Sequence, residues 1–234
     1  MKNAIEKIRE MIRQDCIPDP AFVSEKNVHI SPGAKYYAFA TEYYREERMP
    51  PVYISLGDNV YPVTERNFRF SKIEVYENAT DETATDEKIC EYVRNEDRPL
   101  IEWVEKDGVD YLICPEDFQG QSILDLTNRK LYSFSFEEGA NAEYPADDFI
   151  WCAVFPSPDK NKLAVFGCNW GTPYYTTVFD FSNPTSLPYP VLFEEVDKFC
   201  DGNLRGWKDD STLIIEEDIS GEKQISLINI LEDS

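Results

Sequence analysis

One pattern recurs along this chain and constrains its fold more than any other feature. A short apolar strand, often holding a Trp, runs into a turn built on Pro, Asp or Gly, and a second apolar strand follows. The copies read "WCAVFPSPDKNKLAVF" (151–166), "WVEKDGVDYLIC" (103–114), "GWKDDSTLII" (206–215) and "VHISPGAKYYAFA" (28–40). In each, the turn residues supply what a tight reversal needs: a fixed φ from Pro, a local acceptor from Asp, or freedom from a Cβ in Gly. Fifty-two positions separate Asp107 from Asp159, and 50 separate Asp159 from Asp209. A self-similar period of this size is the mark of a repeated supersecondary unit. From Pro32 to Asp107 the step is 75, which implies an inserted stretch of about 25 residues in the first unit.

Each hairpin is followed by a third apolar run: "PVYISL" (51–56), "SILDL" (122–126), "TVFDF" (177–181) and "ISLINI" (225–230). Fourth strands are predicted at "KLYSFSF" (130–136) and "PVLFEE" (190–195). Asp125 and Asp180 fall at equivalent places, just before the last apolar residue of the third run. The expected fold is therefore all-β, a propeller-like assembly of about four β-sheet units or blades. It forms one domain over 1–234, with units at about 27–76, 100–138, 149–195 and 200–232 and an insertion at about 77–99.

Phe155, Ser157-Pro158-Asp159 and Leu163-Ala164 form an aromatic, Ser-Pro-Asp, Leu-Ala sequence that resembles the blades of WD40-like β-propeller repeat proteins. The Gly-His and Trp-Asp signatures of true WD40 repeats are absent, and the single histidine is His29. The wider "SPD…LAV.GC.W..PY…DF" segment also resembles a group of uncharacterised proteins. That resemblance implies no activity.

Two helices are predicted outside the repeat. Ile5, Ile8, Met11 and Ile12 recur at helical spacing, which predicts a short N-terminal α-helix over 3–15 that ends before Pro18. In "DETATDEKICEYVRNED", Asp81, Glu82, Asp86 and Glu87 stand where acids complement a helix N-terminus, and Ile89, Tyr92 and Val93 would form its apolar face. The alternating ligands and central Gly of a calcium loop are missing there.

Charge narrows the partners. With 45 acids against 23 Lys and Arg, the net charge is -22 and the isoelectric point near 4.3. Such a surface repels nucleic acid and anionic membrane, and a basic protein or peptide suits it better. The N-terminus has no signal-peptide core, and no run reaches membrane-span length. Six cysteines without CxxC spacing read as reduced, buried thiols, so the chain is expected to be cytoplasmic.

One histidine cannot supply a histidine-rich zinc site, and His29 lies on a predicted strand with no nucleophile motif near it. No P-loop, HExxH or GxGxxG occurs. No catalytic residue, metal site or cofactor is assigned. The candidate binding residues lie instead on the loops between second and third strands and on the connections between units, which share one face of a propeller. They are Phe118 and Gln119 in "DFQGQ", Asp147 and Asp148 between units, and Asn169, Trp170 and Tyr174 in "CNWGTPYY". Aromatics set among amides and carboxylates suit a cationic or polar-aromatic partner, unless Trp170 and Phe118 fold back over the strand ends. The expected function is a non-catalytic acidic interaction module that binds a protein or peptide on this loop face. The alternative is a carboxylate-dependent hydrolase acting on a small or sugar-like substrate there.

Overall fold

A computed structural model describes residues 18–56, 59–79, 85–94, 99–114, 120–134, 149–168, 174–195, 202–219 and 222–231. Among them the chain is all-β, with two single 3-10 turns at Pro20–Phe22 and Pro32–Ala34 as the helical structure. The helix predicted over 3–15 lies outside the described residues. Two compact units are present, Met1–Pro99 and Leu100–Ser234.

The first unit is one antiparallel meander of β1 (Val23–Ile30), β2 (Tyr36–Leu56), β3 (Asn59–Glu77) and β4 (Glu87–Arg94). Its extra length resides in β2 and β3, which run for 21 and 19 residues. The stretch 51–56, read from the sequence as a third strand, is the far end of β2, and the third strand is β3. Pro50 and Pro51 look like a break, yet the strand passes through them where its register against β3 shifts between Arg48 and Val52. An irregularity of this kind is where a sheet tolerates a missing N–H.

The predicted second helix is also corrected, because its C-terminal part is β4. Ile89, Tyr92 and Val93 fit a helical face, but aromatic and β-branched residues fit a pleat equally well, and β3 offers an unpaired edge. Glu87 to Arg94 pair along β3 from Glu77 to Ser71. Asp86 does not sit at a helix start. Its carboxylate accepts the Ala79 amide at 2.9 Å and the Tyr37 hydroxyl at 2.7 Å, which closes the approach to β4. Burial, and then this hydrogen bond, push the Tyr37 hydroxyl up to about 12.

The second unit holds three sheets: β5 (Glu102–Lys106), β6 (Val109–Ile113), β7 (Gln121–Asp125) and β8 (Lys130–Phe134); then β9 (Ile150–Pro156), β10 (Lys162–Cys168), β11 (Tyr175–Asp180) and β12 (Val191–Glu195); then β13 (Gly202–Asp209), β14 (Thr212–Ile219) and β15 (Glu222–Asn229). All are antiparallel meanders. The strand period of two explains how they stack. On β10, Leu163 and Val165 enter an apolar cluster with Val104, Ile113 and Ile123 of the sheet before. Ala164, between them, enters a second cluster with Leu204, Leu213 and Ile215 of the sheet after. The β9–β12 sheet is thus buried on both faces.

One hydrogen-bond pattern recurs in all four sheets. Where the third strand ends, the next backbone N–H donates to a carbonyl at or near the start of the second strand. The pairs are Asn78 to Lys35, Leu126 to Asp110, Phe181 to Asn161 and Ile230 to Ser211. Asp125, Asp180 and Asn229 accept backbone amides of the following turn, an Asx device that ends the strand. The Ser-Pro turns match more closely still. Ser31 and Ser157 are buried, and their hydroxyls accept the amides of Tyr36 and Lys162, each at 2.9 Å. Ala34 and Lys160 take the same left-handed φ, 55° and 58°.

Gly167 marks a bulge where β10 slips against β9. A Cβ there would lie 2.0 Å from the Ile150 carbonyl oxygen, so nothing larger than glycine fits.

Candidate functional site

The registers define two ends in each sheet of the second unit. One is the turn end, where the first hairpin closes at 107–108, 157–161 or 210–211. The other is the loop end, where second and third strands join and the chain leaves for the next sheet.

The turn ends are tied to one another. Lys106, at the end of β5, is buried, and its ammonium donates to the Lys160 carbonyl at 2.9 Å, to Asn161 Oδ1 at 2.8 Å and to the Phe181 carbonyl at 2.8 Å. All three donors of a buried cation are thereby used, as low solvent access requires. The next turn reaches onward in the same way. The Asp159 amide donates to Asp210 Oδ1 at 2.8 Å, and Lys162 Nζ donates to the Asp210 carbonyl at 3.0 Å. Within its own turn Asp159 takes the Ser157 hydroxyl and both the amide and side chain of Asn161. Burial raises the Asp159 carboxyl, but these hydrogen bonds outweigh it and hold the group down at about 2. Trp207 adds a tie by donating its indole N–H to the Phe155 carbonyl at 2.7 Å.

The loop end is where the sequence places its candidates. Phe118, Gln119, Asp147, Asp148, Asn169 and Trp170 lie outside the described residues. Tyr174 is described. It precedes β11, stacks on Phe166 with ring centroids 5.4 Å apart, and keeps 49% of its surface exposed.

One residue at this end carried no sign in the sequence. Glu102 opens β5 opposite Ile113, the last residue of β6. Its carboxyl is half-buried, and no described residue gives it a hydrogen bond. Burial pushes it from the ordinary 4.5 up to about 7, and the field of Lys160 opposes only part of that. A carboxyl poised there is half-protonated at neutral pH and is able to give or take a proton. Burial without a hydrogen-bond donor sets it apart from Asp125, which is buried but hydrogen-bonded to Asn128. Beneath the same end, Gln121 is buried and its Oε1 accepts the Tyr189 amide at 2.8 Å.

His29 lies on β1 as the sequence predicts, and burial lowers its imidazole below its ordinary value. Cys90, Cys114, Cys152 and Cys168 form no disulfide. Cys152 faces its own strand, with Sγ 3.8 Å from the Ile150 carbonyl. Among the described residues no group of three or more His, Cys, Asp or Glu could hold a metal ion, and no helix is long and apolar enough to cross a membrane.

No protein-family model matches the chain. Over 96 residues it is 27% identical to "Uncharacterized protein R762" of Acanthamoeba polyphaga mimivirus. That stretch is 39% of this chain and 36% of the mimivirus protein, so the match spans little more than a third of the relative. Among solved structures, the chain is similar to TolB from Acinetobacter baumannii, with a TM-score of 0.40 and 10% identity over 88% of this chain and 52% of that one. It is also similar to a bifunctional GH43-CE protein from Bacteroides eggerthii, with a TM-score of 0.31 and 13% identity over 90% of this chain and 34% of that one. The chain spans about half and about a third of those two proteins. At these scores neither likeness decides the fold, which rests on the strand registers.

Proposed function

We propose that this chain is a non-catalytic, acidic interaction module of the cytoplasm, built from sheets that serve as the blades of a propeller-like assembly. It holds a basic protein or peptide on the loop end of those sheets. The observation that carries this reading is the unequal treatment of the two ends. Turn tips are stapled to one another by Lys106, Asp159 and Asp210, while the loop end presents a half-exposed aromatic, Tyr174, in a chain of net charge -22. Loops held on a rigid scaffold are where binding residues concentrate. Aromatic faces among acids favour cations. The blade reading draws support from the hydrogen-bond signature common to the four sheets.

The test is a thermal-shift panel of basic peptides, sugars and metal ions on the purified chain. A peptide at about 100 times its dissociation constant adds about 2.7 kcal/mol, enough to move the midpoint by several degrees. The expected outcome is a shift with basic peptides that fades as salt rises and is lost in the Trp170→Ala and Tyr174→Ala variants. A basic-peptide shift that both variants keep places the partner elsewhere and sinks this reading.

Glu102 favours a second reading, the carboxylate-dependent hydrolase, because a general acid must still be protonated near neutral pH. That reading requires a sugar-like substrate to be turned over, with turnover lost in Glu102→Gln or Asp148→Asn while the fold survives.

A further inference from the structure

Aligned sheets show which part of the chain covers which face. The amides of Asn78, Phe181 and Ile230 mark the same point in three of them, just past the third strand. The residue before each pairs with Tyr36, Lys162 or Thr212 on the second strand. One and three positions further on stand Tyr37 and Phe39 in β2, Leu163 and Val165 in β10, and Leu213 and Ile215 in β14. The β10 and β14 pairs are buried, each in a cluster with the sheet immediately before it in the chain. The first sheet differs. Phe39 is 40% exposed, and Val28 and Ile30, on the same face of β1, are 55% and 61% exposed. Tyr37 stacks on Tyr76 with ring centroids 5.2 Å apart, and Phe39 stands edge-on to both. Three rings and two aliphatic side chains thus form an exposed apolar face, of the kind that a partner element covers.

On β10 and β14 the cover is whatever comes just before the sheet. Just before the first sheet come residues 3–15, which the sequence reads as an amphipathic helix and which lie outside the described residues. The described chain enters β1 from the side of the exposed face. The Phe22 ring lies 5.6 Å from the Arg45 guanidinium, which lies 4.4 Å from the Phe68 ring. Arg45 shares its side of β2 with Tyr37 and Phe39, because the register on β3 runs unshifted from Tyr36 to Arg48. Length agrees as well. A helix over 3–15 is about 20 Å long, and the eight residues of β1 span about 26 Å. Charge agrees too, since residues 1–15 hold four bases against three acids in a chain of net charge -22.

We propose that residues 3–15 dock as an amphipathic helix on this face of the first sheet, antiparallel to β1, with Ile5, Ile8, Met11 and Ile12 turned toward Val28, Ile30 and Phe39. The segment takes the place that a preceding sheet takes on β10 and β14. Its charged side then faces water, as a polar cap does in a repeat array. A second copy of the chain would bring another net charge of -22 to the contact, so the chain's own segment is the better occupant. This contact is independent of binding at the loop end.

The test is amide hydrogen exchange on the full chain, compared with a synthetic peptide of residues 1–17. The expected result is exchange of amides 6–15 at least ten-fold slower in the chain than in the peptide. Phe39→Asp and Ile8→Asp should each return that stretch to the peptide's rate while β3 stays protected. Leu131→Asp, at an exposed position of β8, should leave the protection as it was. Should Phe39→Asp also loosen β3, Ile8→Asp carries the test, because it alters no described strand. Peptide-like exchange of 6–15 in the full chain would overturn the proposal. So would protection that outlasts Phe39→Asp with β3 intact, which would seat the helix on another surface. Protection that disappears on dilution, as a dimer dissociates, would give the face to a second copy and overturn it equally.

Discussion

At Glu102 a single carboxyl links the fold to pH. Its folded value, about 7, lies above the ordinary 4.5, so the fold favours the protonated form. The stability it contributes is complete below about pH 4.5 and is lost as pH rises through about 7, up to about 3 kcal/mol in all. Glu102→Gln keeps the shape without the charge. The variant is expected to match the parent chain at pH 4.5 and to exceed its stability by about 2 to 3 kcal/mol at pH 8. Denaturant melts at the two pH values measure the difference; a constant gap would place the titrating group elsewhere. Glu216 responds in the opposite sense. Hydrogen bonds from Arg205 and then Lys223 hold it down at about 2, so its contribution is present above its ordinary 4.5 and fades as pH falls toward 2. Neither behaviour was legible in the sequence, because a carboxylate's burial and partners depend on strands that meet only in the fold. That Tyr174 stands at the entry to β11 was legible, since the apolar run after it marks a strand.

Among the elements, the Ser-Pro turns offer a matched pair. Ser31 and Ser157 each accept the amide five residues on, and both hydroxyls are shielded from water. Replacing either by Ala leaves a shielded N–H without its acceptor, at a cost of about 1 to 3 kcal/mol. Ser157→Ala is expected to cost the more, because its hydroxyl also donates to Asp159. Urea titrations of both variants test the equivalence of the two turns, and a neutral Ser31→Ala would show that the first sheet's turn is not a working copy. Strands of the second unit could be read from sequence because Trp, Pro, Asp and Gly punctuate them at regular intervals. The first unit resisted. Pro50-Pro51 reads as a boundary when it is a local slip in one long strand, and Ile89, Tyr92 and Val93 satisfy helical and pleated spacing together. Only the open edge of β3 decides between the two for those residues, and an edge is a tertiary fact.

On the scale of the whole molecule, two forces oppose each other. A net charge of -22 drives the chain to expand, and the apolar faces shared between successive sheets of the second unit hold it together. Salt screens the first and leaves the second. The unfolding midpoint is therefore expected to rise by several degrees between about 10 mM and 300 mM sodium chloride; a fall would mean that ion pairs such as Arg205–Glu216 outweigh self-repulsion. Lys106 tests how the sheets are coupled. Lys106→Met strips three buried or part-buried acceptors of their donor and is expected to cost about 3 kcal/mol. If the tie transmits cooperativity, Trp fluorescence and far-ultraviolet dichroism, coincident in the parent chain, should separate in the variant.

The tip-to-tip ties also bear on how such a chain can be recombined. Lys106 belongs to one sheet and its acceptors to the next, and the Asp159 amide finds its acceptor in the sheet after that. A crossover between these sheets would join a donor to a foreign turn with no guarantee of an acceptor, so shuffling them singly carries a penalty that shuffling them together does not. These ties all lie on the C-terminal side of the Pro99–Leu100 boundary, within Leu100–Ser234. Chimeras cut there and exchanging 100–231 as a block should express and fold where finer mosaics fail, so that inheritance in this chain would proceed by the block and not by the blade.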